Sequence, residues 1–181
     1  RRVHRVSGMT GLGDGVMTTA DKVRTLGELV EIVRRRRADG HRVVFTNGCF
    51  DLLHRGHTRL LQRARELGDL LIVGLNSDAS VRRVKGPSRP VLSEDERAEV
   101  LSALTAVDYV VIFEEADPGL TISALQPDVL VKGADWPREE IVGRETVEER
   151  GGRVVTVPLV EGSSTTGLIQ RILAGADESN G

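Results

Sequence analysis

Two histidines, His54 and His57, lie three residues apart in the first third of the chain. At this spacing two side chains project from the same face of a helix. Imidazoles beside exposed backbone amides suit a phosphoryl group that gains negative charge in a transition state. The two residues alone also allow a plainer interpretation, in which His54 caps a helix and His57 is a half-buried, satisfied histidine.

The flanking segments predict how the histidines are positioned. Val43-Val44-Phe45 is an apolar run typical of a strand, and Leu60-Leu61 with Ala64 begins a helical pattern. Gly48 lies between them, where the lack of a Cβ lets the chain turn and lets its amide approach a phosphate. We therefore predict a strand, a turn and a helix N-terminus, an arrangement that favours a bound anion.

The stretch from Thr46 to His57, TNGCFDLLHRGH, carries a family resemblance. It resembles the T-x-G-x-F-D-x-x-H-x-G-H signature of the cytidylyltransferase-like nucleotidyltransferases, and in its particular form it is similar to the heptose-phosphate adenylyltransferases. The similarity extends over roughly residues 25–173, because three later segments match in the same order: 85–90 (KGPSRP), 131–136 (VKGADW) and 161–166 (EGSSTT). At Ala134 and Trp136 the pattern has glycine and tyrosine, and we expect the added methyl group to narrow the pocket.

The resemblance implies a role for each matching residue. It makes His54 and His57 the groups that stabilise the pentacoordinate α-phosphate, and Lys85 a third catalytic residue that contacts the phosphates. It implies nucleotide binding by Thr46, Asn47, Gly48, Cys49, Phe50, Gly56, Gly133, Asp135, Ser164, Thr165 and Thr166. We further expect sugar-phosphate binding by Asp51, Arg89 and Lys132, while the protein ligands of any metal are not indicated.

Considered without the resemblance, these segments leave alternatives open. Lys85 and Arg89 flank a Gly-Pro segment that we interpret as a flexible loop able to close over a triphosphate, although solvated loop charges explain the same residues. The four hydroxyls of residues 163–166 exceed the one that a helix cap needs. Asp135 can accept from an amine or ribose hydroxyl or cap a helix, and Trp136 can wall a base pocket or pack in the core.

Composition argues against several other classes of protein. The formal net charge is -2 and aromatic residues make up 3%, which disfavours nucleic-acid binding. The single cysteine, Cys49, excludes an intrachain disulfide and a multi-cysteine zinc site. No run approaches the ~20 apolar residues of a membrane-spanning helix, and the first residues lack the apolar stretch of a signal peptide. We therefore expect a cytoplasmic protein without a membrane segment.

Five apolar strands alternate with helical patterns, at 42–46, 70–75, 108–113, 128–131 and 153–157. This alternation predicts an α/β fold, a Rossmann-like, doubly wound parallel sheet with helices on both faces. Polar and glycine-rich segments follow the strands, so they should meet at one edge of the sheet. The resemblance implies strand order 3-2-1-4-5, which places the signature and the KGADW segment on opposite sides of the switch point.

Helix boundaries follow from capping and breaking residues. Capping boxes at Thr25–Glu28 and Ser93–Glu96 predict two helix starts. The second of these helices is expected to face inward through Val100, Leu101 and Leu104. Further helices are predicted over 57–67, 79–85 and 138–150, from Asp117-Pro118 with the proline at the first helical position, and after residues 163–166.

We expect one domain over residues 20–174, preceded by a disordered leader at 1–19 and followed by a frayed tail at 175–181. No kinase domain precedes the signature in these 181 residues, so we expect a stand-alone transferase. The resemblance also implies a homodimer.

The predicted reaction transfers AMP from ATP to a heptose 1-phosphate, giving ADP-heptose and pyrophosphate, with Mg²⁺ bridging the phosphates. Positioning and charge stabilisation carry such a reaction without a nucleophilic residue. One alternative is a related transferase that uses glycerol 3-phosphate with CTP, or flavin mononucleotide with ATP. Others are a non-catalytic nucleotide-binding module and a metal site formed by Cys49, Asp51, His54 and His57.

Overall fold

The computed structural model describes residues 17–178. In chain order its strands are β1 (Val43–Gly48), β2 (Leu70–Asn76), β3 (Tyr109–Phe113), β4 (Val129–Gly133) and β5 (Arg153–Val157). They form a parallel sheet in the order β3-β2-β1-β4-β5, so the winding reverses between β1 and β4. The predicted doubly wound fold and its strand order are confirmed.

Helices cover both faces of this sheet. They are α1 (Thr19–Lys22), α2 (Leu26–Ala38), α3 (Arg55–Arg65), α4 (Asp78–Lys85), α5 (Glu94–Ser102), α6 (Gly119–Leu125), a 3₁₀ turn (Arg138–Glu140), α7 (Arg144–Glu148) and α8 (Thr165–Glu178). The predicted capping boxes begin α2 and α5. Among the described residues, no helix combines the length and the apolar character needed to cross a bilayer.

The central strands are buried on both faces, as expected of a parallel sheet between two helix layers. All seven residues of β2 are buried. In β1, Phe45 belongs to the same core cluster as Leu29 of α2 and Ile122 of α6. Its neighbour Val44 points to the other face, where it shares a cluster with Leu61 of α3. This alternation holds α3 against the sheet, so its first residues are rigidly placed beside the end of β1.

The continuous helix predicted over 138–150 was wrong. The chain forms a 3₁₀ turn, is interrupted at Gly143, and continues as the separate helix α7. Gly143 has φ +86°, and a Cβ there would lie 2.6 Å from Ile122 Cδ1. The left-handed backbone ends the helical path and lets Ile141 be buried under the sheet.

Two other helices begin one to two positions from where we placed them. Pro118 precedes α6 as its cap residue, and Asp117 Oδ1 accepts from Gly119 N at 2.8 Å. Helix α3 begins at Arg55, because His54 caps it. In both cases a side chain binds a backbone N–H that the helix itself leaves without a partner.

The ends of the predicted domain also differ from expectation. Most of the predicted leader lies outside the described residues, but Thr18 caps α1. Lys22 Nζ donates to Val107 O at 2.8 Å, which anchors α1 beside the segment before β3. At the other end α8 continues to Glu178, through part of the predicted frayed tail, and 179–181 lie outside the described residues.

One buried guanidinium, that of Arg97, connects four segments around the end of β1. Arg97 is only 1% exposed. Its Nη1 donates to Cys49 O at 2.7 Å and to Asn76 O at 2.9 Å. Its Nε donates to Leu92 O at 3.0 Å, and its Nη2 pairs with Asp78 Oδ1 at 2.7 Å. The turn after β1, the end of β2, the start of α4 and the start of α5 are thereby held at fixed positions.

This arginine also explains an error in the predicted inward face of α5. The buried residues of that helix include Arg97, Ala98 and Leu101, whereas Val100 is 44% exposed. An arginine satisfies several buried carbonyls at once, so a charged residue takes a place that apolar periodicity alone would not assign to it.

We expect Arg97→Met to lower the free energy of unfolding by about 3–5 kcal/mol, because it leaves Asp78 and three carbonyls without their donor. Urea denaturation measures this loss. The control is Arg82→Met, since Arg82 is 56% exposed and lies 4.0 Å from the same Asp78. Its cost should stay within about 0.5 kcal/mol. Equal losses in the two variants would show that the buried bonds of Arg97 contribute nothing special.

Candidate active site

The turn after β1 places an aromatic ring against the second histidine. Phe50 has φ +44°, in a region that non-glycine residues rarely adopt, and is 3% exposed. Its ring centroid lies 5.1 Å from that of His57, with the rings tilted by 60°. A Cβ at Gly48 would lie 3.1 Å from Phe50 Cε2, so the glycine leaves room for the ring. Backbone conformations of this kind are concentrated at functional sites, and here the conformation of Phe50 places its ring against His57.

His54 caps helix α3 in a way that determines its tautomer. Its Nδ1 accepts from Gly56 N at 3.2 Å, and an accepting ring nitrogen carries no proton. The neutral imidazole therefore carries its proton on Nε2. A Cβ at Gly56 would lie 2.9 Å from this ring, so glycine is needed for the contact. The interpretation of His54 as a cap is correct, and the cap leaves Nε2–H as a donor.

The two imidazoles stack, with centroids 3.9 Å apart and an interplanar angle of 22°. Burial lowers the pKa of His54, and burial together with the neighbouring His54 lowers the pKa of His57 to about 4. Both rings are therefore mainly neutral at pH 7, each with one N–H. Within the described residues His57 Nδ1 is buried without a hydrogen-bond partner. The interpretation of His57 as a satisfied histidine is therefore wrong. A buried nitrogen without a partner costs free energy.

The N-terminus of α3 is tied to the segment that leads into α8. Arg55 Nε donates to Ser163 Oγ at 2.8 Å, and its Nη2 donates to Glu161 O at 3.0 Å. The hypothetical Cβ of Gly56 would also lie 3.4 Å from Ser163 Cβ, which shows how closely the two helix starts approach. The backbone N–H groups at the starts of α3 and α8 therefore point into the same cleft.

Helix α8 begins with more hydroxyl groups than its cap uses. Ser164 Oγ accepts from Gly167 N at 3.0 Å and so acts as the cap. Thr165 and Thr166 follow in the first turn and line the same cleft as the histidines. The plain interpretation therefore accounts for Ser164 and leaves the two threonine hydroxyls to a ligand.

Asp51 binds the segment after α4 to the signature turn. It is 2% exposed, and its carboxylate accepts from Val91 N at 2.8 Å, from Leu92 N at 3.0 Å and from Arg89 Nε at 2.5 Å. Burial raises the pKa of Asp51, but the bonds from Leu92, Val91 and Arg89 outweigh it, and the pKa lies below its ordinary value. Asp51 is thus an ionised anchor whose oxygens are already engaged.

Lys85 is the last residue of α4, which confirms the predicted helix end at residue 85 and contradicts the interpretation of Lys85 as a loop residue. It is exposed at the edge of the cleft. Arg89 is 16% exposed and is paired with Asp51. Asp51 and Arg89 both line the cleft, but each uses the other as a partner, which favours a structural role over the predicted sugar-phosphate contact.

The opposite wall is formed by the end of β4 and the loop after it. Lys132 Nζ donates to Asn47 Oδ1 and lies 5.7 Å from the ring centroid of Trp136. Burial lowers the pKa of Lys132 to about 8. Trp136 is 49% exposed and lines the cleft, so the alternative of core packing is wrong. A Cβ at Gly133 would lie 2.5 Å from Asp135 Oδ1, so the glycine lets this carboxylate fold back against β4.

These walls enclose a cleft of about 480 Å³ at the carboxyl ends of the strands. Two predicted site residues do not line it. Thr46 is fully buried and donates to Val131 O at 2.9 Å, which ties β1 to β4, and Gly133 serves by accommodating Asp135. The predicted residues that do line the cleft are Asn47, Gly48, Cys49, Phe50, Asp51, His54, Gly56, His57, Lys85, Arg89, Lys132, Asp135, Ser164, Thr165 and Thr166.

The alternative of a metal site in the signature is not supported. Within residues 17–178, no three His, Cys, Asp or Glu side chains are grouped to hold a metal ion. The oxygens of Asp51 bind the loop, and Nδ1 of His54 accepts from a backbone amide. Burial raises the pKa of the Cys49 thiol, which disfavours the thiolate that a metal requires.

Sequence reasoning missed two arginines that position the site, Arg97 and Arg55. For Arg97 a signal was present, because it shares the inward spacing of Ala98 and Leu101 on α5. For Arg55 there was none, since its partner Ser163 lies 108 residues away along the chain.

Comparison with known proteins now identifies the family. The family model described as cytidylyltransferase-like matches residues 45–171. The chain therefore belongs to the cytidylyltransferase-like family. It is a nucleotidyltransferase, as its signature predicted.

The similar proteins include longer ones that are named bifunctional. The bifunctional protein HldE of Syntrophotalea carbinolica is 58% identical over 149 residues, which are 82% of this chain and 30% of that one. The bifunctional protein HldE of Trichlorobacter lovleyi is 56% identical over 152 residues, 84% of this chain and 31% of that one. This chain thus spans about three tenths of the length of these relatives. A solved structure, the lipopolysaccharide core biosynthesis protein from Thermoplasma volcanium, is 30% identical, with a TM-score of 0.56 over 67% of this chain and 98% of that one.

The lowered pKa of His57 predicts a pH dependence of stability. Protonation favours the unfolded chain, whose histidine has a pKa near 6.5, over the folded one, with a pKa of about 4. The stabilising contribution of neutral His57 is complete above pH 6.5 and is lost as the pH falls towards 4, by about 3 kcal/mol in all. In His57→Phe, which keeps a ring but does not titrate, urea denaturation should show a correspondingly smaller loss between these pH values. The effect of protonating carboxylates is the same in wild type and variant and therefore cancels in the comparison. Parallel pH profiles of the free energy of unfolding would contradict the prediction.

Proposed function

We propose that this chain transfers AMP from ATP to a heptose 1-phosphate, forming ADP-heptose and pyrophosphate. The observation that carries the proposal is the stacked pair of neutral histidines at the start of α3, in one cleft with the hydroxyl-rich start of α8. The form of the signature supports a heptose phosphate and ATP. The HldE relatives and the lipopolysaccharide core biosynthesis protein are consistent with a sugar-linked role.

In the proposed reaction an oxygen of the sugar phosphate attacks the α-phosphorus of ATP. The new P–O bond forms as the bond to the bridging oxygen breaks, and pyrophosphate leaves with the electron pair. His54 donates through Nε2–H, and neutral His57 supplies its own N–H, as charge builds on the α-phosphoryl oxygens. Because these donors are preorganised, no covalent intermediate with the protein is required. Lys85, at the edge of the cleft, neutralises the departing pyrophosphate.

We propose that the nucleotide enters as MgATP, with the ion bridging its phosphates as part of the substrate. The buried carboxylate nearest the turn, Asp51, is occupied by backbone and guanidinium donors, so the phosphates themselves supply most of the ligands. Asp135 and the half-exposed ring of Trp136 border the space that we assign to the nucleoside.

A pyrophosphate-release assay tests the proposal. Release is expected with heptose 1-phosphate plus ATP, and not with heptose 1-phosphate plus CTP, glycerol 3-phosphate plus CTP, or flavin mononucleotide plus ATP. Turnover in one of the other mixtures would reassign the substrates within the family. Tight ATP binding without turnover in any mixture would favour a non-catalytic nucleotide-binding module.

We also propose that the chain forms a homodimer, as the resemblance implies. Ile172 and Leu173 of α8 are 58% and 61% exposed and offer apolar surface that a second copy would cover. Sedimentation equilibrium should give twice the chain mass of 19.7 kDa. A mass of one chain at micromolar concentration would refute it.

We expect His54→Ala and His57→Ala each to lower kcat by about 10²–10³-fold, as the loss of one transition-state donor does elsewhere. The matched control is His41→Ala, because His41 lies before β1, at the far edge of the sheet from the cleft. That variant should keep wild-type kcat. Near-normal turnover in both signature variants, with the fold intact by circular dichroism, would rule out the catalytic assignment.

We expect the double variant Thr165→Val, Thr166→Val to bind ATP more weakly by about 1–3 kcal/mol, because it keeps side-chain volume but removes two hydroxyls that contact phosphate. Isothermal titration of ATP and of CTP against wild type and variant measures this. Unchanged ATP affinity would refute the threonine contacts. Tighter binding of CTP than of ATP to the wild type would refute the nucleotide assignment.

A further inference from the structure

Lys132 connects the two sides of the cleft at the switch point of the sheet. Strands β1 and β4 pair in parallel with Thr46 opposite Val131, so Asn47 and Lys132 come next on the two strands. The ammonium of Lys132 donates to Asn47 Oδ1. The same ammonium lies 5.7 Å from the ring centroid of Trp136, within the range of a cation–π contact. Lys132 therefore holds a side chain of β1 and is itself held by the loop after β4.

This contact decides which end of the Asn47 amide a ligand meets. An ammonium is a donor only, so the amide oxygen must face Lys132. The amide nitrogen, with its two N–H groups, is then the end that Asn47 offers at the wall of the cleft, which it lines. If the amide were flipped, it would present an oxygen to the ligand and repel an anion.

The position of Asn47 suits an anionic ligand. It directly precedes Gly48 and the turn that leads to the N-terminus of α3, where backbone N–H groups and the helix dipole favour negative charge. A third kind of donor, a side-chain amide held in one orientation, would add to these without introducing a further formal charge.

We propose that Lys132 is a positioning residue for nucleotide binding, which keeps the Asn47 amide nitrogen turned towards the cleft so that it donates to a phosphate oxygen. The inference rests on the proposed function, because it requires a phosphate-bearing ligand in this cleft. It differs from the predicted direct contact of Lys132 with the sugar phosphate, since Lys132 here acts through Asn47.

The orientation depends on the charge of Lys132. Burial lowers its pKa to about 8, while Asp135, on the loop after β4, and Cys49, on the facing turn, act in the opposite direction. A neutral amine still has N–H donors but also has a lone pair that can accept from the Asn47 nitrogen, so it no longer holds the amide in one orientation. ATP affinity is therefore expected to fall as the pH rises through about 8.

Isothermal titration of ATP between about pH 7.5 and pH 10, where its phosphates are mainly ionised, tests the proposal. Wild type should lose affinity above about pH 8. Lys132→Arg should retain binding without this loss, because a guanidinium stays charged. Lys132→Met, which keeps most of the side-chain volume, should bind about ten- to a hundredfold more weakly at the lower pH, as expected when a hydrogen bond to a charged group is lost.

Three further variants separate positioning from other effects. Lys22→Met removes another part-buried ammonium, bonded to Leu104 O and Val107 O before β3, and should leave the ATP Kd unchanged. Cys49→Ser removes the thiol on the facing turn, whose pKa burial raises, and should keep the alkaline loss of affinity. In an Asn47→Ala background, Lys132→Met should add little to the loss, because both changes remove the same oriented amide.

The outcomes are distinguishable. If wild type does not bind ATP, the proposed function and this inference fail together. If wild type binds ATP but Lys132→Met has the same Kd, or its loss adds fully to that of Asn47→Ala, only the inference is overturned. If the double variant Lys132→Arg, Cys49→Ser still loses ATP affinity at alkaline pH, the inference is also overturned. Lys132→Arg, alone or with Cys49→Ser, keeps a positive charge at this partly buried position, so these variants test the charge without removing it from the fold.

Discussion

The site depends on one buried cation. The guanidinium of Arg97 binds the backbone oxygen of Cys49, directly after β1, and that of Asn76, the last residue of β2. It also pairs with Asp78 at the start of α4. Carbonyls that approach from different directions need several donors in one plane, which a guanidinium supplies and an ammonium does not. The carboxylate of Asp78 compensates the charge of the guanidinium, and the backbone N–H of Asp78 donates to Glu94 of α5. This network therefore fixes the positions of the strand ends whose following residues line the cleft.

The cleft combines charged groups at its edges with neutral hydrogen-bond donors at its centre. His54 and His57 are desolvated and stacked, so a positive charge on either is disfavoured. Positive charge comes instead from Lys85, from Lys132 and from the helix N-termini. Neutral donors fixed in a water-poor position interact most strongly with charge that develops during the reaction, which is the requirement of phosphoryl transfer.

How far the sequence predicted this arrangement depended on the range of the interactions. The strands, the capping boxes of α2 and α5 and the strand–turn–helix of the signature were predicted correctly, because each is dictated by neighbouring residues. The errors concern groups whose partners are distant. The predicted helix over 138–150 is interrupted at Gly143, which packs against Ile122. Arg89 forms an ion pair with Asp51, and α5 buries Arg97 rather than Val100.

The sequence by itself determined the fold class, the family resemblance and about half of the residues that line the cleft. The resemblance selected these residues, and the alternation of apolar strands with polar turns placed them after successive strands. Tertiary structure alone decided which partner each of them contacts. It bonded Thr46 and Asp51 to backbone groups, left His57 Nδ1 buried without a partner among the described residues, and placed the amide oxygen of Asn47 against Lys132. The physical reason is that hydrogen-bond satisfaction and desolvation are set by atoms far apart in the chain, and no local pattern records them.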